Sequence, residues 1–565
     1  MASTVAGEIS RALRAMGMEL IFGNPGNTEL PFLADIVQRY VLSLHDGLAV
    51  GAADAYAQVL RRPALVNLHA APGVGNSMAF LDTALRNRSP LVVTVGEQDR
   101  RHRALNPLLS GDIGAMVRPV SKGYLPVDEG RDVVPVLTRA WEIASSRPWG
   151  PVVVGLPMDL MEAPYEGRDP LPPSQPPIAV SGDVAPVVEA LRSATNPVIV
   201  AGYEVDIDDA FGELEALADR LQCPIYAEPL ASRAPVAADS AHFMGDLLPA
   251  SAMINASLAL HDVVLLVGGA LTLYPYTASP LLQGKRVLYL GTDAEVPRLL
   301  GIRESLVGPC REGLAALLAK LPPRSGTFRR PRDLGRAGRV ARSRATMGAE
   351  FVLDSVASLF EEHLVLDEAV SNTPVLKRVG FYGGKDSYLA SRSGQMGWAL
   401  AAAVGAGLAR PRTLAVVGDG ALLYSPQALW TLAREGIPAK VLVLNNHGYS
   451  ILRSYSKSFH PALTDAPFLQ IPGLDVVGVS RSMGVPAETV KEPGELAPAL
   501  RELRDSPGPR LLNGAGVFSP SLVSAPLVQP CSTLRLEGGT QRRGFSRVSE
   551  GVPFTTMKSR ARCTA

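Results

Sequence analysis

Residues Leu414 to Tyr449 read LAVVGDGALLYSPQALWTLAREGIPAKVLVLNNHGY. An apolar run, Leu414 to Val417, stops at Gly418-Asp419-Gly420, a helix-patterned segment follows, and a second apolar run, Val441 to Leu444, stops at Asn445-Asn446. The pattern predicts one strand–helix–strand unit. Parallel strands place Asp419 and Asn446 on the same carboxyl edge of a sheet, where open α/β folds bind ligands, although 27 residues separate them (446 − 419). A carboxylate and an amide oxygen are hard ligands that suit Mg²⁺, which keeps positions free for phosphate oxygens and water. Gly418 and Gly420 let an anion approach the backbone. GDG alone describes an ordinary turn; GDG with NN at this spacing, between two apolar runs, points to a metal-held phosphate.

Working outward, 565 residues exceed one ordinary core and predict two to four domains. A net charge of +1 with 19% charged residues makes no case for nucleic acid or an anionic membrane. Cys223, Cys310, Cys531 and Cys563 form no CxxC pair, so neither a zinc site nor a disulfide framework is expected, and a reducing cytoplasm is the simplest setting. Glu8, Arg11 and Arg14 interrupt any signal-peptide core. A run of about 18 apolar residues, the length a membrane span needs, does not occur.

Residues 1–163 alternate helical and strand-like segments, with strands expected at Leu20 to Phe22, Tyr40 to Leu44, Ala64 to Leu68, Leu91 to Val95 and Val152 to Gly155. A proline-dense linker, 164–182, leads to a second block over 183–320, opened by Pro197 to Gly202. Gly268-Gly269 follows a strand there but lacks GxGxxG spacing, so no dinucleotide site is predicted. A basic linker, 321–348, precedes a third block, 349–514, which contains the metal unit and a turn, Gly394-Gln395-Met396-Gly397, before a small-residue helix. Residues 515–565 lose all pattern and read as a disordered extension. The expected fold is α/β, with three consecutive parallel-sheet domains.

The GDG–NN unit resembles the diphosphate-binding motif of the thiamine-diphosphate-dependent enzymes. FGNPGNTELPFL (Phe22 to Leu33), ADAYAQ (Ala53 to Gln58) and NLHAAPGVGNSM (Asn67 to Met78) resemble the N-terminal domain of the benzoylformate decarboxylases within that family. The resemblance covers residues 3–512 and implies pyrimidine-binding, central Rossmann-like and diphosphate-binding domains in that order. It implies Mg²⁺ on Asp419, Asn446 and the Gly448 carbonyl, with Tyr449 in the same loop and Ser371 on a phosphate oxygen. Met396 would bend thiamine diphosphate, and the Gly394 carbonyl would accept from its amino group.

Asp46 stands where the family has the Glu that hydrogen-bonds the pyrimidine ring. One methylene fewer withdraws the carboxylate by about 1.5 Å, and a misplacement of about 1 Å can cost on the order of a hundredfold. His69 matches a proton-transferring histidine, and Asn27 replaces a serine that contacts the substrate carboxylate. Pro275 stands in place of a second catalytic histidine, and Ile451 and Tyr455 match pocket walls, Ile451 narrowing the space for the acyl group. The implied reaction is non-oxidative decarboxylation of a 2-oxo acid to an aldehyde, by a homodimer or homotetramer with shared sites and without FAD. The alternatives are a carboligase of the acetolactate-synthase type and a non-catalytic scaffold, the latter motivated by Asp46, Pro275 and the C-terminus.

Overall fold

The computed structural model describes residues 3–168, 173, 179–237, 239–274, 280–328, 346–381 and 383–517. Three sheets follow one another along the chain, each of six parallel strands. The first contains β1 (Leu20–Gly23), β2 (Arg39–Leu42), β3 (Ala64–Leu68), β4 (Leu91–Glu97), β5 (Gly123–Pro126) and β6 (Pro151–Pro157), in the order β2-β1-β3-β4-β6-β5. The second contains β7 (Val198–Ala201), β8 (Ile225–Ala227), β9 (Phe243–Asp246), β10 (Val263–Val267), β11 (Arg286–Gly291) and β12 (Glu304–Val307), in the order β12-β11-β10-β7-β8-β9. The third contains β13 (Leu364–Glu368), β14 (Tyr388–Ala390), β15 (Thr413–Gly418), β16 (Lys440–Asn445), β17 (Ala487–Val490) and β18 (Arg510–Ala515), in the order β14-β13-β15-β16-β18-β17. The outer two sheets are wound identically. The middle one has the strand order of dinucleotide-binding folds.

The physical reason for parallel pairing is visible in burial. β3, β6 and β16 are buried at every residue, as strands covered by helices on both faces must be. The strands without a clear apolar run in the sequence are β5, β8, β9, β12, β14 and β17, each of three or four residues and all but β8 at a sheet edge. β18 runs to Ala515, one residue beyond the expected boundary of the third block. Pro275, parts of both linkers (169–172, 174–178 and 329–345) and the tail from residue 518 lie outside the described residues.

Helix α1 (Asp46–Leu60), which crosses from β2 to β3, packs against α3 (Trp398–Ala409) of the third block. Small residues let the two approach: a Cβ on Gly405 would lie 1.8 Å from the Ala52 carbonyl oxygen. The indole of Trp398 donates to buried Asp54 at 2.6 Å, which also accepts from Gln58 and Asn87 at 2.9 Å each. Helix α2 (Ala70–Arg86) follows β3 and packs along α1, so the first and third blocks share one apolar core.

Candidate active site

β15 pairs with β16 in parallel register, Gly418 opposite Leu444, so Asp419 and Asn446 emerge side by side at one carboxyl edge. Asp419 is 2% exposed and opens a four-residue helical turn. Burial raises its carboxyl above the ordinary aspartate value, although the backbone N–H groups of Gly420 and Gly448 pull the other way. Its Oδ2 accepts the Gly448 N–H at 3.0 Å. The neighbouring Asn446 is 7% exposed, and its Oδ1 is buried without a hydrogen-bond partner. Buried amide oxygens are seldom left unpaired. A carboxylate needing a counter-charge beside an amide oxygen needing a donor is a donor set that fits Mg²⁺. The Gly448 carbonyl accepts the Ser450 N–H at 3.2 Å and keeps a second lone pair. Tyr449 lies against Gly420, where a Cβ would come 2.8 Å from its ring.

The first sheet presents a second polar cluster at the carboxyl edge of β1 and β3. His69 stands between β3 and α2, at the N-cap of the helix; its Nδ1 lies 2.7 Å from Glu29 Oε2. Glu29 is wholly buried while His69 is 23% exposed. Glu29 also accepts the Gly26 N–H at 2.9 Å and the Thr28 hydroxyl at 2.6 Å. With those donors fixed, His69 donates from Nδ1 and keeps Nε2 for chemistry. Gly26 has to be glycine, because a Cβ there would lie 2.1 Å from the imidazole. Asp46, the first residue of α1, is 3% exposed, and its Oδ1 accepts the His69 backbone N–H at 3.2 Å. Asn27, which precedes Thr28 in the chain, is exposed. Burial, with the nearby charges of Glu29 and Asp46, raises the Tyr40 phenol far above its ordinary value. The structure thus brings Asp46 and His69 together and adds Glu29, which sequence reasoning missed. In the sequence Glu29 looks like a helix-start residue ahead of Pro31, and the 40 positions between it and His69 hide the pairing.

The Gly394–Gly397 turn leads into α3. Gly397 has φ +83° and a Cβ there would strike Tyr424 at 2.8 Å, so only glycine fits. Glu368, at the end of β13, accepts the Gly397 N–H at 2.5 Å and the Ala399 N–H at 2.9 Å, and so caps a helix that has no side-chain cap of its own. Burial pushes the Glu368 carboxyl up to about 7. Met396 is half-buried on this turn, and Ser371 is buried just beyond β13. Three non-glycine residues with positive φ mark the loops: Ala70 at 47°, Val370 at 50° and His447 at 56°. Such strain clusters at ligand sites. Helix α4 (Ser450–Phe459) carries Ile451 and Tyr455, with the Tyr455 and Phe459 rings stacked at 4.6 Å.

In the central sheet the strand order reverses between β7 and β10, where an open α/β sheet would hold a dinucleotide. That crevice is filled. A Cβ on Gly202 would lie 2.3 Å from the Gly269 Cα. Buried Glu228 accepts the N–H groups of Tyr203 at 3.0 Å and Ala270 at 2.7 Å, and Glu204 accepts that of Thr292 at 2.8 Å. These strand-end N–H groups are thus bound to carboxylates. Glu204, Asp208 and Cys310 also lie close together, but Arg147 holds Asp208 at 2.7 Å.

Residues 3–116 match the N-terminal TPP-binding domain of the thiamine pyrophosphate enzymes, residues 184–317 the central domain and residues 371–513 the C-terminal TPP-binding domain. The chain is 34% identical over 516 residues to a benzoylformate decarboxylase of Pseudomonas aeruginosa, covering 88% of this chain and 96% of the relative. It is 25% identical over 544 residues to an acetolactate synthase large subunit of Parasynechococcus marenigrum, covering 90% and 86%. Among solved structures, a thiamine-diphosphate-dependent 4-hydroxybenzoylformate decarboxylase of Rhodococcus jostii superposes with a TM-score of 0.82 at 31% identity, covering 91% of this chain and 99% of that one. A benzoylformate decarboxylase of Polynucleobacter necessarius gives 0.83 at 27%, covering 91% and 98%. Three matched domains in order, with full-length similarity to relatives of this kind, establish that the chain belongs to the thiamine pyrophosphate enzyme family.

Proposed function

We propose that the protein is a thiamine-diphosphate- and Mg²⁺-dependent decarboxylase that converts a 2-oxo acid of the benzoylformate kind to an aldehyde. The observation that carries this reading is the pairing of buried Asp419 with the partnerless Oδ1 of Asn446 at adjacent strand ends. Asp419, Asn446 and the Gly448 carbonyl would hold the metal, Ser371 a phosphate oxygen, and Gly394 and Met396 the pyrimidine end. Tyr449 would wall the metal loop. When bound, the cofactor supplies the electron sink that lets CO₂ leave.

The chain's own residues supply the rest. Asp46 would present its carboxylate to the pyrimidine ring, with Oδ1 steadied by the His69 N–H. His69 holds a proton at Nδ1 towards Glu29 and would accept or donate one at Nε2. Asn27 would donate to the substrate carboxylate, and Ile451 and Tyr455 would bound the acyl group. The exposed apolar side chains Leu105 and Leu108 in the first block, with Tyr424 and Phe468 in the third, support a homodimer or homotetramer that covers both. The filled central crevice supports a reaction without FAD. Among the described residues no helix is long and apolar enough to cross a membrane, and a cytoplasmic enzyme is our reading.

The competing carboligase reading rests on Pro275 in place of a second histidine and on Ile451, which would leave less room for an aromatic acyl group. A panel of aromatic and aliphatic 2-oxo acids, assayed for CO₂ and for products with and without an acceptor aldehyde, separates the two. Free aldehyde as the main product in both arms supports the decarboxylase; a hydroxyketone as the main product without added acceptor overturns it.

A further inference from the structure

Segment Ser391–Ser393, directly ahead of the Gly394–Met396 turn, is gripped by the other two domains. From the central domain, the Tyr203 ring lies 4.0 Å from the guanidinium carbon of Arg392. Burial disfavours the Arg392 charge, yet attraction to Tyr203, Glu228 and Glu204 outweighs it and holds the group above the ordinary arginine value. From the first domain, Asn87 Oδ1 accepts the Arg392 backbone N–H at 2.9 Å, and the Arg86 carbonyl accepts from Nη1 at 3.2 Å. The hydroxyls of Thr83 and Ser393 share a hydrogen bond at 2.6 Å. Thr83, Arg86 and Asn87 lie at the far end of the helix that begins beside His69. All three domains therefore meet on the residues that enter the turn.

We infer that Arg392 is a positioning residue for the pyrimidine end of the cofactor. The Tyr203 ring of the central domain holds the guanidinium, and the guanidinium holds the turn. This gives the central domain a role in cofactor binding without a nucleotide of its own. A cation over an aromatic face within about 6 Å is attracted to it, and more strongly once desolvated. The contact fixes the direction in which the chain leaves β14. On the other side of the turn Glu368 fixes Gly397 and Ala399. Between these two anchors Met396 has a defined place; without the Arg392 side chain the segment keeps its bonds to α2, and Ala390 its bond to the Ser232 carbonyl at 2.9 Å, but the guanidinium no longer ties position 392 to the central domain. The inference rests on the thiamine-diphosphate reading of the site.

The test compares two ligands on the intact chain by calorimetry: Mg²⁺ with thiamine diphosphate, and Mg²⁺ with inorganic pyrophosphate. Pyrophosphate engages only the metal end, at Asp419 and Asn446. Arg392→Met is expected to weaken thiamine diphosphate about tenfold, the order of one partly buried cation–π contact, and to leave pyrophosphate affinity unchanged. Arg392→Lys, which keeps the charge but not the planar stack, should fall between Met and wild type. Tyr203→Leu, which removes the ring from the other side of the contact, should reproduce the Met pattern. Equal weakening of both ligands in the Arg392 and Tyr203 variants, or no weakening of either, overturns the positioning role. A wild-type protein that binds pyrophosphate but not thiamine diphosphate overturns the functional reading beneath it.

Discussion

Glu29→Gln changes one atom of a wholly buried side chain, and the structure says what that atom does. Oε2 accepts from Gly26 N–H at 2.9 Å and from His69 Nδ1 at 2.7 Å, and Oε1 accepts from Thr28 at 2.6 Å. A glutamine can keep its carbonyl oxygen at the Oε2 position, and the Thr28 hydroxyl can turn to accept from the new NH₂. Every hydrogen bond survives and only the charge is lost. Hydrogen bonds to charged groups contribute about 1.5–3 kcal/mol against about 1 for neutral ones. The imidazolium formed during proton transfer therefore loses on the order of 1–2 kcal/mol, and turnover should fall about tenfold. His69→Ala alone should cost about 10² to 10⁴. The decisive assay is the double-mutant cycle in single-turnover CO₂ release: in the His69→Ala background Glu29→Gln should change the rate less than about twofold. A tenfold loss that persists without His69, or no loss with it, would refute the claim that Glu29 acts through His69.

Further outcomes follow from the same geometry. Asp419→Ala should abolish retention of both Mg²⁺ and thiamine diphosphate in isothermal titration, because it removes the carboxylate of the metal site. Asp46→Ala should slow exchange of the bound cofactor's C2 proton in deuterated water, followed by quench and NMR; exchange at the wild-type rate would remove Asp46 from the activating role. Burial raises the Glu368 carboxyl from its ordinary 4.5 to about 7 in the fold, so between those pH values the folded state holds the extra proton, and stability falls as pH rises through that window. Glu368→Gln should lose this slope, a difference on the order of 3 kcal/mol across the window, read from denaturant unfolding at pH 4.5 and pH 7.5. Equal slopes in the two proteins would show that Glu368 does not titrate there.

The long buried strands were legible because their apolar runs are unbroken and end in turn residues. Leu414 to Val417 and Val441 to Leu444 became β15 and β16, and the parallel register joined Asp419 to Asn446 as the spacing predicts. Edge strands such as β5, with its mixed Gly123–Pro126 sequence and partial burial, carry no such signal. The polar support of the site was hidden for a different reason. Glu29, Glu368 and Arg392 act over separations of 40, 29 and 189 positions (392 − 203) respectively, and nothing local distinguishes them from surface charges. Burial turns such residues from solvated charges into fixed hydrogen-bonding partners, and burial is a property of the whole fold. The dinucleotide strand order of the central sheet was not legible around Gly268-Gly269, because strand order is set by which distant strands pair and not by a local spacing.

Whether the site decarboxylates is decided by CO₂ release from benzoylformate by the purified chain, with thiamine diphosphate and Mg²⁺ supplied or withheld. We expect CO₂ and benzaldehyde in equal amounts, only when both are present, and none from Asp419→Ala. A wild-type protein that binds thiamine diphosphate and Mg²⁺ tightly yet releases no CO₂ from benzoylformate or from any other 2-oxo acid would contradict the proposed function.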